Sequence, residues 1–155
     1  MLKILKIMTL SALILASACS KDENNKTEKL LIQSGETQYE YEIEVADTKE
    51  TLYHGLMGRN SLPENSGMLF DITIVPKDLD VAMWMKDTLI PLDIIFIDEN
   101  GEIFYIHENA EPNSTTGIIP PKRPRAVLEL NAGQVKDKQI KVGDSVKNRV
   151  LGNLD

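Results

Sequence analysis

From Gln38 to Val45 the chain alternates without a break. Tyr39, Tyr41, Ile43 and Val45 are apolar or aromatic, and Gln38, Glu40, Glu42 and Glu44 are polar. A period of two is the spacing of a strand with one wet and one buried face. This segment therefore belongs to a sheet that something must cover. Short apolar runs follow at Gly67–Phe70, Val81–Met85, Leu92–Ile97, Ile103–Ile106, Ala126–Leu130 and Ile140–Val142. Each has strand length, and turn-forming residues lie between them. Leu92–Ile97 is apolar on both faces apart from Asp93, which predicts a central strand. Asp98-Glu99-Asn100-Gly101 predicts a hairpin after it, because Asn-Gly tolerates the positive φ of a tight turn.

A helical spacing breaks this pattern. Leu52, Tyr53, Leu56 and Met57 share one face at 3.6-residue periodicity. Asp47 with Glu50 three residues on makes a capping-box-like start, and Gly58 a natural stop. Gly55 inside such a helix costs about 1 kcal/mol relative to Ala, so a close backbone approach is expected there. The fold class expected is mainly β: a single β-sandwich or small barrel-like domain with one short amphipathic helix. The order of elements does not suit a βαβ fold. Ala110 to Arg125 is a long connection carrying Pro112, Pro120, Pro121 and Pro124, with the basic cluster Lys122, Arg123 and Arg125. A Pro-stiffened surface loop is expected; a contact site for an acidic partner is the alternative.

The first residues read as an export signal. Lys3 and Lys6 precede an apolar run from Ile7 to Ala16, and the small residues Ala16-Ser17-Ala18 lead into Cys19, the chain's one cysteine. The run is too short to span a bilayer. A cysteine at the first mature position implies acylation, so the expected partner is a membrane, reached through the lipid on Cys19. The expected location is the cell envelope, at an outer membrane facing either the periplasm or the surface. Residues 1–18 are then the signal peptide, 19–29 a flexible tether and 30–155 one β-rich domain. Within the tether, Lys21-Asp22-Glu23 resembles the acidic export signal of surface lipoproteins. Acylation leaves no thiol for disulfides, nucleophilic catalysis or thiolate metal sites. The net charge of −7 disfavours nucleic acid as a partner.

Asp93 in PLDIIFID and Glu129 in AVLEL stand where core residues are expected. A buried carboxylate needs a cation, several donors or a raised pKa. The cations nearest apolar sequence are Arg59 and Lys86, so Arg59, Lys86, Asp93 and Glu129 form a candidate polar constellation. Trp84, beside Lys86, adds the aromatic surface of a small-ligand pocket. The function expected is a non-catalytic binding or accessory module for a small molecule or protein. One alternative is an envelope hydrolase acting on a carbohydrate or cell-wall polymer through Asp93 and Glu129. Another is a periplasmic copper protein using Met57, Met68, Met83 and Met85 with His54. Zinc spacings, G-x-S-x-G, G-x-G-x-x-G and the P-loop are missing from the sequence, so no cofactor is expected.

The stretches HGLMGR (54–59), SGMLF (66–70), MWMKDTLIPLDIIFID (83–98), AVLELNAG (126–133) and VGDSV (142–146) together resemble the family of domain of unknown function 192. The resemblance runs from about Gln38 to Val146. It implies a compact, mainly β domain in which exported, lipid-anchored members are common, and it transfers no substrate, cofactor or catalytic role. The matching motif residues are Gly55, Leu56, Met57, Arg59, Gly67, Met68, Trp84, Met85, Lys86, Thr88, Pro91, Asp93, Glu129 and Gly133.

Overall fold

The computed structural model describes residues 27–154. Residues 1–26, which hold the expected signal peptide, Cys19 and most of the expected tether, lie outside the described residues. Seven strands form one sheet: β1 Thr27–Ser34, β2 Thr37–Ala46, β3 Ser66–Asp71, β4 Leu92–Ile97, β5 Ile103–Ala110, β6 Ala126–Asn131 and β7 Ser145–Lys147. Their spatial order is β5-β4-β6-β3-β2-β1-β7. The β2–β3 pair is parallel and every other pair antiparallel. The sheet curls into a half-barrel, and its two edge strands meet at one end. There the Ile103 amide donates to the Asp144 carbonyl (2.9 Å) and the Val146 amide to the Gly101 carbonyl (2.7 Å). The expected mainly β, barrel-like domain is what forms.

Strand alternation gives the curled sheet two cores. Leu30, Ile32, Ile43, Leu69, Ile95, Leu128 and Leu130 fill the inner face. Met68, Phe70, Leu92, Ile94, Phe96 and Val127 lie on the outer face, covered by Leu56, Met85 and the connections. Fully burying each such aliphatic side chain contributes about 1.5–3 kcal/mol. All six residues of β4 are buried, which fits its central place. The β4–β5 turn falls where the sequence puts it. Asp98 Oδ1 accepts from the Asn100 amide at 2.9 Å, and Gly101 takes a φ of +77°.

Four expectations shift. The helix, α1 (Lys49–His54), is capped by Thr48, whose reciprocal hydrogen bonds with Thr51 replace the Asp47–Glu50 pair. It ends at Gly55, whose φ of +50° leaves the helical region and where a Cβ would stand 3.2 Å from Phe70. Val81–Met85 is not a strand: it crosses the outer face of the sheet, tied to the long connection by a single bridge between Met83 and Ile118. Ile140–Val142 leads into a turn at Gly143 (φ +95°), and the last strand starts at Ser145 instead. At the other end β1 starts at Thr27, inside the stretch read as tether.

The basic cluster of the long connection is engaged within the chain. Arg123 donates to the Leu79 (2.7 Å) and Val75 (2.8 Å) carbonyls, Arg125 to Asp71 (2.7 Å), and Lys122 to Asp98 (3.1 Å). Among the described residues no helix is long and apolar enough to cross a membrane.

Candidate functional site

The two core acids lie on opposite faces of the sheet. Glu129 on β6 pairs with Met68 on β3 and Ile94 on β4, so it points outward with them. Asp93 pairs with Leu130 and points inward. The expectation that both would meet cations in one cluster is therefore corrected. Asp93 is fully buried, and backbone amides satisfy it: Oδ1 accepts from Asn109 N and Oδ2 from Val135 N, each at 2.9 Å. Val135 lies in the first turn of a second short helix, α2 (Gln134–Asp137), so Asp93 ties that turn to β4 and to the β5 bend at Asn109 (φ +52°). Two charge-assisted bonds from fixed amides do the work expected of a cation.

The expected cations are engaged elsewhere. Arg59 makes a two-pronged ion pair with Glu44, its Nη2 2.6 Å from Oε2. Lys86 leans over the Trp84 ring, 5.8 Å from its centroid, with Asp87 at 3.9 Å. Glu44 neighbours Met68 across the strands, so the Arg59 pair shares the outer face with Glu129 but does not neutralise it.

Glu129 is the chemically unusual group. Only 4 % of it is exposed, and among the described residues its carboxyl makes no hydrogen bond or ion pair. Burial among apolar neighbours pushes its pKa up to about 8. At neutral pH the group is mostly the uncharged acid, with one O–H to donate and one carbonyl to accept.

The carboxyl faces a cleft of about 60 Å³, room for a few waters or one small head group. One wall is α1 and its exit, contributing Leu52, Tyr53, His54, Gly55, Leu56 and Met57; Phe70 and Glu129 come from the sheet. The other wall is Ala82, Met83, Trp84 and Thr88. That wall is held by backbone bonds. Met83 and Ile118 exchange a pair at 3.0 and 2.8 Å, the Met85 amide donates to the Ser114 carbonyl at 2.9 Å, and the Gly58 amide to the Asp87 carbonyl at 2.8 Å. Trp84 and Tyr53 make an edge-to-face pair, 6.2 Å between centroids and 74° between planes. They stay 42 % and 60 % exposed, a large aromatic surface left to solvent. A second cleft of about 330 Å³ adjoins, sharing His54 and Gly55 and lined also by Glu44, Glu50, Arg59 and Met68.

Of the sequence-stated candidates, Trp84 and Glu129 share the first cleft and Lys86 stands at its rim. Arg59 lines the neighbouring cleft, and Asp93 belongs to the other side of the sheet. Tyr53 and Phe70 were not anticipated as site residues, since helical or strand spacing marks them only as packing positions. The copper set is dispersed: Met57 and Met83 line the first cleft with His54, Met68 the second, and Met85 packs into the outer core. Among the described residues no group of three His, Cys, Asp or Glu could hold a metal ion.

The family model DUF192, described as Uncharacterized ACR, matches residues 30–148. Two solved structures are similar. A protein from Sinorhizobium meliloti 1021, described as a candidate transcription regulator, is 35 % identical, with a TM-score of 0.75 over 81 % of this chain and 96 % of its own. A protein of unknown function from Novosphingobium aromaticivorans DSM 12444 is 30 % identical, with a TM-score of 0.74 over 79 % of this chain and 85 % of its own. No curated protein matches the chain.

Proposed function

The chain belongs to the DUF192 family, and we propose that this member is a lipid-anchored envelope protein whose β domain binds a small ligand without transforming it. Binding takes place in the cleft between α1 and Ala82–Thr88. The observation that carries this reading is Glu129, buried and unpartnered at the end of a cleft roofed by two exposed aromatic rings. Its carboxyl has no partner from the chain and opens onto the cleft, so its hydrogen bonds are left to whatever occupies that space. Apolar and aromatic side chains with a few convergent polar groups, here Glu129, His54 and Thr88, are the usual makeup of a small-molecule site.

Binding is favoured over hydrolysis because Asp93 and Glu129 lie on opposite sides of the sheet and cannot flank one scissile bond. Nucleic acid is disfavoured by the charge of −7 and by the engagement of Arg59, Arg123, Arg125 and Arg149 with the chain's own carboxylates and carbonyls. Anchoring rests on the basic, apolar and small-residue run that ends at Cys19.

The test uses the full chain in lipid nanodiscs and four probes: benzamide, benzamidine, benzoate and N-acetylglucosamine. Calorimetry and the emission of Trp84, the single tryptophan, report binding. At least one probe is expected to saturate and to shift Trp84 emission, with the calorimetric affinity weakened in Trp84→Ala and in Glu129→Ala. If none binds tighter than ~10 mM, the reading fails. Anchoring is tested separately: Cys19→Ser should move the protein from the membrane fraction to the soluble one, and its retention there would refute acylation.

A further inference from the structure

We propose that the cleft selects an uncharged primary carboxamide carried on an apolar or aromatic body. The ligand's carbonyl accepts from the Glu129 carboxyl O–H, and its amide N–H donates back to the Glu129 carbonyl oxygen. This inference rests on the ligand-binding reading above and names the chemistry of the ligand.

Three features converge on it. The end wall of the cleft offers one acid and no cation. Arg59 is held by Glu44, and Lys86 stands outside against the Trp84 ring. A ligand carboxylate would find no lysine or arginine in the lining to offset its charge. A cationic head would have to pull the proton from a nearly buried Glu129. The titratable or charged groups facing Glu129 from the packed elements are Tyr53 and His54 on α1, Lys86 and Asp87 on the covering segment, and the Arg59–Glu44 pair and Glu50 in the adjoining cleft. None makes a hydrogen bond or ion pair with the Glu129 carboxyl. The neutral acid form, favoured by burial, presents a donor and an acceptor side by side, and a primary amide presents the complementary pair in the same spacing.

The size of the cleft sets the rest. A cleft of about 60 Å³ suits a head group better than a ring. The body of the ligand then lies at the mouth, where Trp84 and Tyr53 provide flat apolar surface. Leu52, Leu56, Met57, Phe70 and Met83 keep the head group out of water, which strengthens the two hydrogen bonds.

Benzamide, benzamidine and benzoate share one shape and differ in charge, so they separate the possibilities. With the full chain in nanodiscs at pH 6.5, benzamide should bind at least about tenfold tighter than the other two. Its dissociation constant should rise about twofold by pH 8 and about tenfold by pH 9, because only the protonated acid is competent. Whatever affinity Glu129→Gln retains should be flat across that range. Preference for benzamidine, with affinity rising with pH, would overturn the carboxamide inference and leave the binding site standing. An alkaline loss that persists in Glu129→Gln would assign the titration to another group and also overturn it. Absence of binding by all probes would remove both readings together.

Discussion

Glu129→Gln makes the energetics of the cleft measurable without any ligand. The ordinary glutamate pKa is 4.5, and burial pushes that of Glu129 up to about 8 in the folded chain. Between these values the unfolded chain has released a proton that the folded chain still holds. Stability therefore falls as pH rises, by about 1.4 kcal/mol per pH unit, and levels off above the folded value. Integrated over the window, ionisation costs the wild type roughly 1 kcal/mol at pH 5 and roughly 4 kcal/mol at pH 8. The Gln amide does not titrate, and its burial cost is the same at both pH values. The stability of Glu129→Gln relative to wild type should thus rise by about 3–4 kcal/mol between pH 5 and pH 8. Urea unfolding of both proteins, followed by circular dichroism at each pH, measures this difference. Two pH profiles that run parallel within about 0.5 kcal/mol would refute the claim that an unpaired acid is buried there.

Other substitutions probe the frame around the site. Asp93→Ala leaves the Asn109 and Val135 amides without their acceptor and should cost about 3 kcal/mol or more, read from the urea midpoint. Gly67→Ala puts a methyl 2.6 Å from the Glu129 carbonyl oxygen and 2.7 Å from Leu130 Cδ2; it should cost at least about 2 kcal/mol and lower Tm. For Asp71, burial works upward, but hydrogen bonds from Thr73 and the Arg125 ion pair outweigh it and hold the pKa below the ordinary 3.8. The stability this group adds is present above pH 3.8 and lost as pH falls through the folded value. Asp71→Asn should therefore be less stable than wild type at pH 7 and converge on it in acid, which melting curves at pH 2–7 would register.

The legible parts of the fold were those decided by local chemistry. Leu92–Ile97 could be read as a central strand because six consecutive buried residues suit no other short element. The turn at Asp98–Gly101 followed from its Asn-Gly step. The helix start was misplaced by one residue because Asp47 and Thr48 are both competent caps, and the Thr48–Thr51 exchange is visible only in three dimensions. Val81–Met85 has strand-like composition, yet partner availability decides strands, and it lies across a face of the sheet, where its backbone meets side chains and only Met83 finds a bridge. The two acids were legible as a problem but not in its solution. Whether Asp93 and Glu129 meet depends on strand register, and the pairing of Glu129 with Ile94 puts one residue's offset between them. Asp93 was then satisfied by amides that carry no side-chain signature. Glu129 was left with nothing, and that deficit is what points to a site.

The junction of β5 with β7 has a consequence if, as proposed, the protein is anchored close to copies of itself. Strands with bare borders invite neighbouring molecules to zip on, and confinement to a surface multiplies such encounters. Here the bonds joining residues 101–103 to residues 143–146 occupy one end of both borders with the chain's own backbone. At that end an adjacent molecule finds little backbone to template upon.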